Sequence, residues 1–317
     1  MIRGLLLAAG VTLLFPVGSP AASRDPVAVQ RAEAPSKTDE LATHFARALE
    51  KIAEGVDGSV SYVVVDLTTG ARIERRAGEP FPTASAIKVG ILYELFAQAD
   101  AGTVVLDDPK PMPEASRVGG SGILQRLKSP VLSLRDHAML MILLSDNSST
   151  NVLIDTLGMA RINARMQQLG TTSYHLRRRM MDGAAAARGD ENVASAADLV
   201  VVMDALRMGK GLRPESRAAA HAILQEFGPT SIRAGVPSDV VVAAKPGGLD
   251  GVRTEVAWID LKGRPYLLCV MTTFLADDSA GGKAITDISR TAFAYFSRLA
   301  RAGTEGRLLD SAVLGIR

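Results

Sequence analysis

Two groups of strand patterns, one toward each end of the chain, bracket an interior in which nearly every periodic segment is helical. Val60 to Leu67 reads as a strand, and Thr68, Thr69 and Gly70 turn it into a partner near Ala71 to Arg75. After Pro237 three strands follow in meander order: Val240 to Lys245, Thr254 to Asp260, and Pro265 to Thr273, with Lys262 and Gly263 turning between the last two. Strands so far apart in sequence find partners by sharing one sheet. The expectation is an α+β fold: an antiparallel sheet flanked by N- and C-terminal helices, with an all-helical subdomain at about 86–227 inserted between the early and late strands. Leu41, Phe45, Leu49 and Ile52 mark the first flanking helix, ending near Gly55. Ile285, Ile288, Phe293, Phe296 and Leu299 mark the last, from about Gly282 to Arg301. With 317 residues, 47% of them hydrophobic, the chain can bury a core of that size.

Met1, Ile2 and Arg3 precede an apolar run from Gly4 to Val17, and Ser19, Pro20, Ala21 and Ala22 supply small residues for cleavage. This is the pattern of a secretory signal peptide, shorter than the roughly 20 apolar residues of a spanning helix. Residues 1–22 are read as the signal, 23–37 as a polar linker, 38–302 as the folded domain and 303–317 as a C-terminal tail. The protein is expected to be exported, periplasmic or extracellular, with no stable membrane anchor, and to be a monomer. A formal charge of +2 with intermixed signs gives no footprint for nucleic acid. Cys269, the single cysteine, sits in an apolar strand pattern and forms no intrachain disulfide. His44, His137, His175 and His221 lack ligand spacing, so neither a metal nor another cofactor is expected.

Ser85, Ala86, Ile87 and Lys88 form the one Ser-x-x-Lys of the chain, at the head of a helical pattern carrying Val89, Ile91, Leu92, Leu95 and Phe96. Residues i and i+3 share a helix face, so the Lys88 amine can reach the Ser85 hydroxyl and take its proton. A lysine in the first turn opposes the helix dipole, a cost of roughly 0.3–1 kcal/mol that calls for a compensating partner. Ser145, Asp146 and Asn147 fall in a turn just past a helix capped by Ser133 and Asp136. The apolar stretch Val240 to Ala244 runs directly into Lys245, Pro246, Gly247 and Gly248, where a cation followed by glycines suits close approach by a ligand.

Ser-x-x-Lys, Ser-Asp-Asn and Lys-Thr-Gly together are the signature of class A β-lactamases and penicillin-binding proteins. This chain resembles that family from about Asp39 to about Arg301, also through Phe81 to Ser85, Gly120 to Leu124, Asn151 to Gly158 and Asp66 to Gly70. The resemblance implies a β-lactamase/transpeptidase-like fold and a small-molecule substrate, a β-lactam or D-alanyl peptide. It implies that Ser85 is acylated while Lys88 accepts or relays its proton. It assigns Ser145 to protonation of the leaving nitrogen and Asn147 to a bond with Lys88 or the substrate. Lys245 would attract a substrate carboxylate, with Gly247 and Gly248 alongside and the N–H groups of Ser85 and Gly248 forming an oxyanion site.

Two departures stand out. Pro246 replaces the usual threonine or serine and offers neither hydroxyl nor N–H. Arg253 either takes over the carboxylate contact or pairs with Glu255 or Asp250. The family's Glu-x-x-Leu-Asn pattern is also absent, and the corresponding stretch runs from Arg177 to Ala184. Asp182 is the candidate base there, with Glu191 more distant; the alternative is that Asp182 pairs with Arg178 or Arg179. Three activities follow: a secreted class A-like β-lactamase, a D-alanyl peptidase or other amide or ester hydrolase with poor β-lactam turnover, or a noncatalytic binder of cell-wall fragments.

Overall fold

A computed structural model describes residues 36–226, 228–303 and 305–310. The signal region, most of the expected linker and residues 311–317 lie outside the described residues. Ser36 and Lys37 belong to the domain rather than to the linker: Ser36 caps the first helix through a reciprocal capping box with Asp39.

In chain order, α1 (Lys37–Glu54) leads into strands β1 (Ser59–Asp66), β2 (Arg72–Arg75) and the short β3 (Phe81–Pro82). Then come α2 (Lys88–Asp100), β4 (Pro109–Pro111), β5 (Val131–Ser133), α3 (Leu134–Leu143), α4 (Asn147–Leu157), α5 (Met159–Leu169) and α6 (Gly183–Ala187). β6 (Val193–Ala194), α7 (Ala196–Met208) and α8 (Pro214–Gln225) precede β7 (Val242–Leu249), β8 (Val252–Ile259), β9 (Tyr266–Thr273) and α9 (Asp278–Arg301). The antiparallel sheet has the order β2-β1-β9-β8-β7, so the two ends of the chain do share it.

β1 is apolar on both faces because the sheet is covered on both sides. Tyr62 and Val64 join Val242, Ala257 and Leu268 under Phe45 and Leu49 of α1 and Ile288 and Phe296 of α9. Val63 and Val65 join Val256, Cys269 and Met271 against Leu199 of α7 and the core of the helical subdomain. Each fully buried Leu, Ile or Phe contributes roughly 1.5–3 kcal/mol.

Three details differ from expectation. β7 does not stop at Lys245 but continues through Pro246 to Leu249, because β8 pairs with it along that whole length. Pro246, opposite Glu255, is tolerated there because β7 is an edge strand. Lys88 begins α2, while Ser85 precedes it in a single 3-10 turn, Ala84–Ile87. The tail is not separate either: Leu309 N–H donates to Arg301 O, folding the described part back on α9.

Candidate active site

Ser85 is held by a turn clamped from three directions. The Thr83 N–H and hydroxyl both donate to Asn192 O, at 3.0 Å each. Thr254 of β8 donates its hydroxyl to Thr83 O at 2.8 Å, and the Tyr174 hydroxyl reaches Ile87 O at 2.6 Å. Tyr174 fits because residue 90 is glycine; a Cβ there would lie 2.3 Å from the phenol oxygen. Ala84, beside the nucleophile candidate, is forced to φ +47°, a left-handed conformation that a side chain disfavours and that only surrounding structure sustains. Gly247 brings β7 against this turn: a Cβ would sit 2.6 Å from Thr83 O and 2.7 Å from Ser85 N.

Ser145 also has a left-handed backbone, φ +52°, in the turn between α3 and α4. Asp146 braces that turn. One carboxylate oxygen caps α4 at Ser149 N (2.8 Å), and the other accepts the N–H groups of Ile123 and Leu124, at 2.7 Å each. The glycine-containing loop 119–122 is thereby drawn to the Ser145 turn, where Asn147 donates its amide to Gly119 O at 3.1 Å.

The buried Lys88 Nζ donates to Ser145 O at 2.8 Å and Asn147 Oδ1 at 2.9 Å, and stands 3.1 Å from Ser145 Oγ. These acceptors, with the nearby Asp146 charge, are the compensation that a lysine at a helix start requires. From the opposite side the buried Lys245 Nζ lies 3.1 Å from the same Ser145 Oγ and 3.0 Å from Pro246 O. Two amines thus flank one hydroxyl. Burial, then the Lys245 charge, pushes Lys88 well below the ordinary lysine range. Burial pushes Lys245 down to about 7, against the opposing pull of the Glu255 charge.

A cavity of about 310 Å³ opens on this cluster, lined by Ser85, Asn147, Met180, Asp182 and Gly248 among others. Asn151 and Asn192, both buried, fix its loop wall: Asn151 bonds the N–H and carbonyl of Met180, and Asn192 Oδ1 accepts the N–H groups of Arg177 and Arg178.

The structure therefore gathers Ser85, Asn147, Lys88, Ser145, Lys245, Gly247 and Gly248 around one cleft, but treats Asp182 and Arg253 differently. Asp182 pairs with neither arginine. Its exposed carboxylate caps α6 at Ala185 N (2.9 Å), while Arg178 pairs with Glu191 at 2.7 Å and Arg179 with Asp155 at 2.9 Å. Arg253 pairs with neither Glu255 nor Asp250. Its guanidinium runs beside Gly248 and is held by Asp278 at 2.9 Å and by Leu249 O and Val252 O.

Asn151, Asn192 and Tyr174 are residues around the site that sequence reasoning overlooked, and none of them carried a usable signal. Among the described residues no three His, Cys, Asp or Glu side chains cluster as a metal site, and no helix is long and apolar enough to cross a membrane.

Comparison with known proteins agrees with this architecture. The model of the Beta-lactamase enzyme family matches residues 44–296, and the chain belongs to that family. It is an enzyme, a hydrolase of the class A β-lactamase type. The carbapenem-hydrolyzing β-lactamase KPC of Klebsiella oxytoca is 27% identical over 252 residues, 77% of this chain and 86% of that protein. β-Lactamase SME-1 of Serratia marcescens is 26% identical over 256 residues, 78% of this chain and 87% of its own. Among solved structures, PBP-A superposes with a TM-score of 0.75 at 26% identity, covering 80% of this chain and 96% of PBP-A. The β-lactamase of Sphaerobacter thermophilus DSM 20745 does so at 0.74 and 30% identity, covering 80% and 97%.

Proposed function

We propose that this protein is an exported serine hydrolase that opens a β-lactam amide through an acyl-enzyme on Ser85. The observation that carries this reading is Ser145 Oγ standing 3.1 Å from both Lys88 Nζ and Lys245 Nζ beside the cavity that holds Ser85. A neutral Lys88 amine takes the Ser85 proton as the oxygen attacks the carbonyl. The N–H groups of Ser85 and Gly248 receive the oxyanion, a donor of this kind contributing about 2.7–4 kcal/mol. As the C–N bond breaks, Ser145 gives its proton to the nitrogen and is reprotonated from Lys88. Lys245 supplies positive potential for an anionic substrate, and Arg253, beside Gly248, does so only by sharing its bond to Asp278. Export rests on the pattern of the first 22 residues.

Release of the acyl group is expected to be slow. Both carboxylates on the cavity wall are committed, Asp182 to Ala185 N and Glu191 to Arg178 and Asn192 N. Losing a positioned base costs roughly 10²–10⁴ in rate. The same observation favours a second reading, a D-alanyl peptidase or related amide or ester hydrolase that β-lactams acylate but leave slowly. A point mutant of PBP-A, of the same fold, is known as an acyl-enzyme complex with penicillin G. A noncatalytic wall-binding role has no use for two lysines around one serine.

Intact mass spectrometry after penicillin addition tests the proposal. The wild type should gain one penicillin mass that persists, and Ser85→Ala none. Absence of any adduct from the wild type, with the penicillin left intact, refutes it, and turnover of a D-alanyl-D-alanine peptide faster than of any β-lactam selects the second reading.

A further inference from the structure

The cavity beside Ser85 lies to one side of the reacting bond. The leaving nitrogen has to face the Ser145 hydroxyl, between Lys88 and Lys245, and none of these three residues lines the cavity. The space is bounded instead by Gly248 and Leu249 of β7, by Gly120, Ser121 and Asn147, and by the loop from Arg178 to Asn192. It therefore receives the acyl half of a substrate, the part that stays on Ser85.

The charges on that wall do not cancel. Arg178 and Glu191 both line the cavity and pair with each other at 2.7 Å, and the neighbouring Arg179 is taken by Asp155 at 2.9 Å. Asp182 is left over. It is exposed on the cavity wall, with Oδ1 accepting the Ala185 N–H and Oδ2 without a partner among the described residues. The cap on α6 needs no charge, because asparagine or serine makes the same bond. That bond holds the carboxylate in place without neutralising it.

The backbone points the same way. Met181, just before Asp182, has φ +62°, a left-handed conformation shared at this site by Ala84 and Ser145. A Cβ at residue 120 would lie 3.0 Å from Met181 Sδ, so the strained residue brings the loop wall against the Gly120 loop. Strain of this kind persists only where surrounding structure holds it, and it gathers at working sites. Met180, Met181 and Leu249 make the rest of the lining largely apolar, while Asn147 is already engaged by Lys88 and Gly119 O.

We propose that Asp182 is a specificity-determining residue that selects acyl donors carrying a protonated amine beside an apolar group. The ammonium donates to the open Oδ2, and the apolar group meets Met180, Met181 and Leu249. The inference rests on the acyl-enzyme reading. An ammonium–carboxylate contact at an exposed group is modest in strength, so it sets a choice between acyl donors.

Three penicillins that differ at one carbon of the acyl half test it: penicillin G carries hydrogen there, ampicillin an amine and carbenicillin a carboxylate. At about pH 6, where an α-amino group is protonated, ampicillin should acylate the wild type about three- to fivefold faster than penicillin G under subsaturating conditions. Carbenicillin should be slower than either. In Asp182→Asn, which keeps the cap and is checked for folding by thermal denaturation, the ampicillin to penicillin G ratio should fall to about one. Calorimetric titration of Ser85→Ala, with and without Asp182→Asn, reads the same preference as a ratio of dissociation constants, without chemistry. Equal rates for ampicillin and penicillin G in the wild type, or a preference that survives in folded Asp182→Asn, overturn the inference and leave the acyl-enzyme reading standing. If no penicillin acylates the wild type, the acyl-enzyme reading falls by itself. The titrations then decide: tighter ampicillin binding that Asp182→Asn abolishes upholds the role of Asp182, and equal affinities overturn it.

Discussion

Lys245 and Glu255 are both sealed from water, and burial moves them toward each other. Lys245 comes down from 10.5 to about 7 and Glu255 goes up from 4.5 to about 7. Between about 7 and 10.5 the unfolded chain holds the lysine proton more tightly than the native one, so this residue's contribution to stability rises with pH. Between 4.5 and about 7 the native state holds the glutamate proton more tightly, so that contribution falls with pH. Together they give a trough near neutrality. Relative to the double variant Lys245→Met with Glu255→Gln, the wild type should show its largest deficit near pH 7, on the order of 1–4 kcal/mol. The deficit should narrow toward both pH 5 and pH 10, as denaturant titrations across pH would read. The strained Ala84 and Ser145 belong to the same trade, local stability given up to hold reactive groups in place.

At the scale of elements, the loop from Arg177 to Asn192 forms one wall of the cleft with little regular structure. It is held by side chains instead, above all by Asn192, which bonds the N–H groups of Arg177 and Arg178, Arg178 O and, through its own carbonyl, Thr83. Asn192→Ala should cost about 2–4 kcal/mol, since each buried group left unsatisfied costs roughly 1–3. It should also raise hydrogen exchange and proteolysis across 177–191 while the sheet stays protected. Such a wall was hard to read in the sequence, because asparagine bonding to distant backbone leaves no periodicity. The flanking helices and the β7–β8–β9 meander were legible, since they bury regular apolar stripes. Lys88, Ser145 and Lys245 were legible because their spacing is a known signature. The end of β7 was misplaced because Pro246 and two glycines resemble a terminator, whereas the pairing with β8 decides. The cap that Asp182 makes on α6 was not legible, because distance along the chain says nothing about where a carboxylate turns.

At the scale of the whole molecule, the two ends of the described domain meet. Lys37 donates to Glu305 O at 3.3 Å, and Ala302 bridges to Leu308 at the foot of α9. A circular permutant that joins residue 305 to residue 36 by a short linker and opens the exposed Lys262–Gly263 turn should therefore keep the fold. It should melt within a few degrees of the parent and show the same penicillin adduct. It should refold faster, because β9, α9, α1 and β1 become neighbours in sequence and contact order falls.

In the natural order, β9 lies between β1 and β8 yet is the last strand made. β1 pairs at once with β2, but its other edge waits for a partner until residue 273 is made, with every helix of the interior already synthesised. Any product ending before Tyr266 leaves two long apolar strands with open edges and is a template for aggregation rather than a weakened enzyme.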